Sequence, residues 1–325
     1  MSLTDYTAGI RRLGDWKFHA LQLEDQAFFS KQIRRTSFPV DLWSSNFAYL
    51  WAVSHSGHRQ VLWRADDGML VPFVLSRTGA LYLQCLPFGE ATPAKAVNVL
   101  YRCMQYCLAY NKGDKERTML KMAGEKQLAF LRESPAFDRC FTPRAWQGIE
   151  QHLSLAKLAG MEGADFANVR NRVRKFYREH PEAGVRLYRP DDFEALLALD
   201  RRWRETSGSK YSNLIDGAYY RELVAHGEEL GQTTLVMCEH GRIIGMVAGS
   251  LLPGGQSWGS LLKFEPGMPG LSETLLVEFA REMRRRDPHA ETVNIGSDLG
   301  ESGLRRYKLK FRPVFSQKRY RVTLK

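Results

Sequence analysis

The order of elements along the 325 residues predicts a mixed α+β protein made of two similar domains in tandem. Three observations carry that expectation. A hairpin, a further strand and a long amphipathic helix occur in this order twice. Gly68 and Gly241 occupy equivalent hairpin turns of the two copies, and the elements after each follow at nearly the same offset. The chain is also longer than the ~250–300 residues at which a single core stops growing. The boundary is expected near residue 150, giving domains 1–150 and 151–325.

In the first copy, Gln60–Arg64 and Met69–Leu75 read as strands around Ala65-Asp66-Asp67-Gly68. A third strand, Leu81–Leu86, ends at Pro87-Phe88-Gly89. A helix then follows from about Ala94 to Tyr110, because Val97, Leu100, Met104 and Leu108 recur at spacings of three and four. Gln151–Gly160 and Asp165–Arg178 read as helical connectors. In the second copy a helix over about Pro190–Arg204 carries Phe193, Leu196, Leu197 and Leu199 inward, and another spans about Asp216–His226. Strands Thr233–Glu239 and Arg242–Leu252 flank His240-Gly241, and Trp258–Phe264 is the next strand. A long helix over about Ser272–Arg286, strand Thr292–Ile295, a short helix near Gly303–Phe311 and strand Arg319–Leu324 complete it. This succession is the order of the GNAT acyltransferase fold, so the expected fold class is α+β with two tandem GNAT-like domains, mainly antiparallel sheets flanked by helices.

Composition narrows the function. With 44% hydrophobic residues, disordered and fibrous classes are excluded. No apolar run approaches the ~18 residues of a membrane span, and the N-terminus lacks a signal-peptide h-region. Five cysteines without CxxC spacing point to reduced thiols and a cytoplasmic protein. The net charge of +11 is concentrated in Asn168–Arg189 and Glu301–Lys325, and the remainder is slightly acidic. Such concentration calls for an anionic partner: tRNA first, with an anionic membrane surface as the second class.

Two segments carry a family resemblance. The first is Leu155–Gly160 with Arg170-Asn171-Arg172-Val173-Arg174-Lys175-Phe176 and His180-Pro181. The second runs from Asn294 through Asp298 and Gly300 to Gly303-Leu304-Arg305-Arg306-Tyr307-Lys308, Lys310-Phe311, Pro313 and Arg319-Tyr320. Both are similar to the C-terminal cytosolic domain of bacterial phosphatidylglycerol lysyltransferases and its stand-alone relatives. The resemblance implies two tandem GNAT domains and an aminoacyltransferase that moves an aminoacyl group from aminoacyl-tRNA to a lipid or other acceptor. It implies no cofactor beyond that donor. Because no anchoring segment is read in the sequence, the expectation leans to a soluble acceptor. A lipid acceptor would need the basic segments to reach the inner membrane face.

The residues themselves discriminate between donors. An acyl-CoA enzyme cradles pyrophosphate on backbone N–H groups at the start of its long helix. Here that loop is Lys263-Phe264-Glu265-Pro266-Gly267-Met268-Pro269-Gly270, in which two prolines remove donors and Glu265 adds negative charge. An acyl-CoA-dependent N-acyltransferase is therefore the alternative, and a non-catalytic RNA- or membrane-binding module the third reading. No GxSxG elbow or other nucleophile stands out. The catalytic candidates are Asp298, Arg305 and Lys308, and the substrate-binding candidates Lys263 and Asn294. Arg305 and Lys308 share one helix face and could meet the tRNA 3′ end or the oxyanion. Asp298 could hold the α-amino group, take the acceptor's proton or cap the next helix. Arg170, Arg172, Arg174 and Lys175 are the RNA-binding candidates. Cys103 and Cys107 read as core thiols, His55 and His58 as loop residues without a metal, and Trp43, Trp51 and Trp63 as core of the first domain.

Overall fold

The computed structural model describes residues 10–206, 208–210 and 216–325. They form two compact units, one ending at Gln147 and taking in Gln317–Lys325, the other Gly148–Ser316.

The first unit contains β1 (Ile10–Leu13), β2 (Trp16–Ala20), α1 (Gln26–Arg34), α2 (Phe47–His55), β3 (Arg59–Asp66), β4 (Met69–Ser76), β5 (Leu81–Leu83), α3 (Pro93–Tyr110), β6 (Leu120–Gly124), α4 (Glu125–Arg132) and α5 (Ala136–Cys140). The strand β7 (Phe141–Ser154) begins in this unit and runs into the second. The second unit continues with α6 (Leu155–Gly160), α7 (Ala167–Glu179), β8 (Gly184–Leu187), α8 (Phe193–Thr206), α9 (Tyr220–Ala225), β9 (Gln232–Glu239), β10 (Arg242–Leu252), β11 (Gln256–Phe264), α10 (Leu271–Arg286), β12 (Thr292–Ser297) and α11 (Ser302–Leu309). The last strand, β13 (Phe315–Leu324), returns the chain to the first unit.

Local chemistry explains the repeated pieces. The β3–β4 and β9–β10 hairpins turn on pairs with positive φ, Asp67-Gly68 (49° and 71°) and His240-Gly241 (48° and 76°). Both central residues of a type I′ turn need that conformation, which Gly adopts freely and a flanking polar residue tolerates. Thr92 caps α3 by accepting from the Lys95 N–H, with Pro93 at the first helical position. Asn46 caps α2 in the same way through Tyr49.

In the first unit the strand order is β1-β2-β3-β4-β5-β6-β13-β7, and β5 meets β6 in parallel with Leu83 opposite Leu120. One face of this sheet, including Leu62, Phe73, Leu83, Leu120 and Val322, packs on α3 through Val97, Leu100, Cys103, Met104 and Cys107. The thiols are core groups, as expected. Trp51 and Trp63 are buried too, Trp63 against Phe28 and Phe29 of α1. In the second unit the order is β7-β12-β11-β10-β9-β8. α10 is nearly enclosed, with Leu271, Leu275, Phe279 and Met283 in a core shared with α6, α7 and the sheet.

One expected element is different. Gln151–Ser154 is strand rather than helix: His152, Leu153 and Ser154 pair antiparallel with Asn294, Val293 and Thr292. Buried polar residues hid the strand from a hydrophobic-pattern reading. Glu150 and Gln151 are buried because Asn294 and Ser316 supply hydrogen bonds at 2.8 and 2.6 Å.

Candidate active site

The second unit opens where β11 and β12 part. Their parallel pairing covers Gln256–Trp258 against Thr292–Asn294 and then ends. Beyond Gly259 the β12-facing backbone edge of β11 meets no further strand among the described residues, and such an edge offers N–H and C=O groups to a ligand. The departing strand β12 is held away by its own residues. The Asn294 side chain accepts from the Gly296 N–H at 2.8 Å and donates to Glu150 at 2.8 Å. Gly296 takes φ 75°, and β12 shifts register against β7 between Asn294 and Ser297.

The turn after β12 is organised by Asp298, which is fully buried. One carboxylate oxygen accepts from the N–H groups of Ile149 and Gly300 at 2.9 and 3.0 Å, and the other from Arg305 Nε at 2.6 Å. Burial alone would raise its pKa, but the Arg305 bond and the two backbone donors outweigh it and hold the carboxyl below its ordinary range. Lys308, almost buried, donates to the carbonyls of Ile295 and Ser297 at 2.6 and 2.9 Å. Its ammonium thereby satisfies carbonyls that the end of the β12 ladder releases. Arg305 differs from its neighbours, since its side chain is half exposed while its Nε is fixed on Asp298.

Lys263 lies elsewhere in the unit and is completely buried. Its ammonium sits 2.6 Å from Asp216 and 3.2 Å from Asp200, and 3.4 Å over the Trp203 ring. Arg204 joins the same two carboxylates. A buried ammonium persists only with such partners. The structure thus brings Asp298, Arg305 and Lys308 together around one turn with Asn294 close by, and it places Lys263 in a separate ion cluster. Asn294, Asp298, Lys263 and Lys308 each have protein partners for their polar ends. Arg305 keeps an exposed guanidinium end.

Pattern reading missed the start of α10. Glu273, in its first turn, is buried and paired to Lys310 at 2.5 Å and to Arg172 of α7 at 3.4 Å. Burial raises the Glu273 pKa, but the Lys310 bond and charge prevail and keep it low. Gly270, with φ 94°, lies so close to α7 that an added Cβ would enter the van der Waals radius of the Arg172 carbonyl oxygen. Glu265 of the preceding loop is tied to Arg202 and Arg242 at 2.7 and 2.8 Å. An acidic residue in the first turn of the helix that should cradle phosphate was the available signal.

The RNA-binding candidates divide. α7 buries Val169, Val173 and Phe176. Arg170 turns back to the carbonyls of Met161 and Gly163, closing the α6–α7 connection. Arg172 pairs with Glu273, and Lys175 with Glu179 at 3.7 Å. Arg174 is exposed and has no ion-pair partner among the described residues.

A meander, a parallel pair that splays after three residues and a long helix joining the two strands of that pair are the layout of a GNAT-like fold. The sequence pattern of the phosphatidylglycerol lysyltransferase C-terminal domain matches residues 44–323, and the chain belongs to that family. It is therefore an acyl- or aminoacyltransferase. Among solved structures, a conserved protein of unknown function from Bacteroides thetaiotaomicron is similar at 19% identity, with 95% of this chain and 99% of that one covered and a TM-score of 0.78. The L-PGS of Bacillus licheniformis is similar at 14% identity, 94% and 92% coverage and a TM-score of 0.64. A tandem GNAT protein from the clavulanic acid pathway shares the fold at 11% identity, 94% and 98% coverage and a TM-score of 0.51. No curated protein matches the chain. Among the described residues no helix is long and apolar enough to cross a membrane.

Proposed function

We propose that this protein transfers an aminoacyl group from aminoacyl-tRNA to an amine or hydroxyl of an acceptor. The observation that carries the reading is the start of α10. By the general logic of helix N-termini an acyl-CoA pyrophosphate would rest at this helix start, and here the Arg172 backbone packs on Gly270 and the Glu273 carboxylate occupies the first turn. That carboxylate already answers the positive end of the helix dipole, and a phosphate there would meet like charge. Pro266 and Pro269 remove two further N–H donors. An aminoacyl-tRNA brings its ester without a pyrophosphate and needs basic surface for its backbone instead. Arg174, Arg178, Arg306 and Arg312 offer that surface on exposed positions of α7, α11 and the turn after α11.

Transfer requires the acceptor amine or hydroxyl to attack the ester carbonyl, and the terminal ribose hydroxyl to leave with a proton. The β11 edge beyond Gly259 can donate N–H groups to the oxyanion. Arg305, fixed through Nε and open at its far end, can hold the tRNA end or that oxyanion. Asp298 keeps Arg305 aimed, and its low pKa makes it a weak base, so we assign it a positioning role. Lys308 holds the shape of β12 beside them.

The test incubates purified protein with charged tRNAs and follows ester loss that depends on an added acceptor. Amine-bearing and lipid acceptors run in parallel, with acetyl-CoA and a longer acyl-CoA as competing donors. Acceptor-dependent ester loss supports the reading. Transfer from acyl-CoA, or failure to bind tRNA at low salt, overturns it.

A further inference from the structure

The first unit carries a row of cations that the chemistry of the second unit does not use. Leu83 of β5 and Leu120 of β6 are opposite each other and both face α3. The next residues, Gln84 and Lys121, therefore turn side by side to the other face, in the period-two alternation of strands. Tyr82 shares that face. Arg321 does as well, since its neighbour Val322 packs on the α3 side, and so does Arg59, three residues before Leu62 of the same core. Arg59, Tyr82, Gln84, Lys121 and Arg321 thus lie on one face of the sheet.

No carboxylate compensates this row. Among the described residues none lies within ion-pair distance of Arg59, Lys121 or Arg321, although 21 such pairs occur elsewhere. The Lys121 ammonium stands 5.6 Å from the Tyr82 ring, and Arg321 stacks on Trp146 at 3.9 Å. Burial, reinforced by the charges of Arg59 and Arg321, pushes Lys121 down to about 7. Gln84 is 1% exposed, yet neither its carboxamide oxygen nor its nitrogen has a hydrogen-bond partner. A buried amide without partners is costly, and one beside an uncompensated ammonium points to a group that fills both needs. Arg59 also lines an open groove of about 450 Å³, whose other polar walls include His55, His58 and Arg77 and no acidic residue. That volume suits a small molecule.

We propose that the first unit binds a small phosphorylated molecule, its phosphate held by Arg59, Lys121 and Arg321 with the Gln84 amide and Tyr82 hydroxyl as neutral partners, and its remainder in the groove of His55, His58 and Arg77. A phosphate accepts several charge-assisted hydrogen bonds at once, which one carboxylate of a peptide does less fully. The inference is independent of the donor used by the second unit.

The experiment is calorimetric titration of the full chain with inorganic phosphate and with glycerol 3-phosphate at constant ionic strength, chloride serving as the control anion. Saturable binding is expected, tighter for glycerol 3-phosphate. Lys121→Met and Arg59→Gln should each weaken it at least about tenfold, the loss typical of one charge-assisted bond. Both variants are checked by circular dichroism, and Gln84→Leu, which removes no charge, provides a milder third case. Absence of saturable binding, or equal affinity in wild type and the two charge variants, overturns the proposal. Phosphatidylglycerol vesicles form the last arm. If they bind in a Lys121-dependent manner while soluble phosphates do not, the site is a lipid-headgroup site and the small-molecule reading fails.

Discussion

Asp298, in the segment that resembles the family, has both carboxylate oxygens engaged by the protein itself. Its three hydrogen bonds join β7, the β12 turn and α11. Replacing it by Ala leaves the half-buried Ile149 N–H, the Gly300 N–H and one guanidinium without their acceptor, so we expect a loss of about 2 kcal/mol in urea unfolding at neutral pH. Since the folded carboxyl is held below its ordinary pKa, its contribution is fully present above about pH 4 and disappears as pH falls through the folded value. Wild type and Asp298→Asn should therefore differ at pH 7 and converge only as pH falls below the ordinary carboxylate range. Arg305→Ala should leave tRNA affinity nearly unchanged and lower turnover by more than tenfold, a result read from single-turnover rates against a binding isotherm. The opposite pattern would move Arg305 from the reacting end to the tRNA surface. Spacing made these residues legible as a group, because Arg305 and Lys308 share a helix face. It did not make their partners legible. Lys308 is spent on two carbonyls, and no pattern in the sequence says that β12 releases them.

At the scale of elements, the packing of α7 against the start of α10 is what the donor reading depends on. Gly270 and Gly267 both hold positive φ, 94° and 80°, but a Cβ at Gly267 would meet open space whereas one at Gly270 would collide with α7. Gly267→Ala should cost only backbone strain, about 1–2 kcal/mol, and Gly270→Ala distinctly more. Denaturant midpoints of the two variants compare them directly, and equal losses would show that α7 is not seated there. Hairpins and long helices were legible because Asp67-Gly68, His240-Gly241 and the four-residue spacing of α3 are local signals. The strand β7 was not, since Glu150, Gln151 and His152 break the apolar pattern, and Glu150 and Gln151 are buried only through partners more than a hundred residues away. The cation row of the first unit was equally hidden, because Arg59, Lys121 and Arg321 come together only when β3, β6 and β13 join one sheet.

For the whole molecule, net charge is the property that links fold to partner. The surplus is +11, and the structure separates basic residues that hold the fold from those that face solvent. Arg170, Arg172, Lys263, Lys308 and Lys310 belong to the first kind, because each is tied to carbonyls or carboxylates. Arg174 and Arg178 belong to the second, one helical turn apart and exposed on α7. An exposed pair at that spacing can follow a phosphate backbone without reading sequence. Changing both to Ala should weaken tRNA binding at ~0.1 M salt and reduce the slope of log affinity against log salt by roughly 0.7–0.9 for each phosphate no longer neutralised. Arg170→Ala should act differently: its guanidinium closes the α6–α7 connection, so thermal stability falls while the salt slope stays near that of the wild type. Filter binding across a salt series, paired with melting curves of the same variants, separates the two outcomes. An unchanged slope in the Arg174/Arg178 variant would remove α7 from the tRNA surface and leave Arg306 of α11 and Arg312 of the turn after it as the remaining basic surface for the nucleic acid.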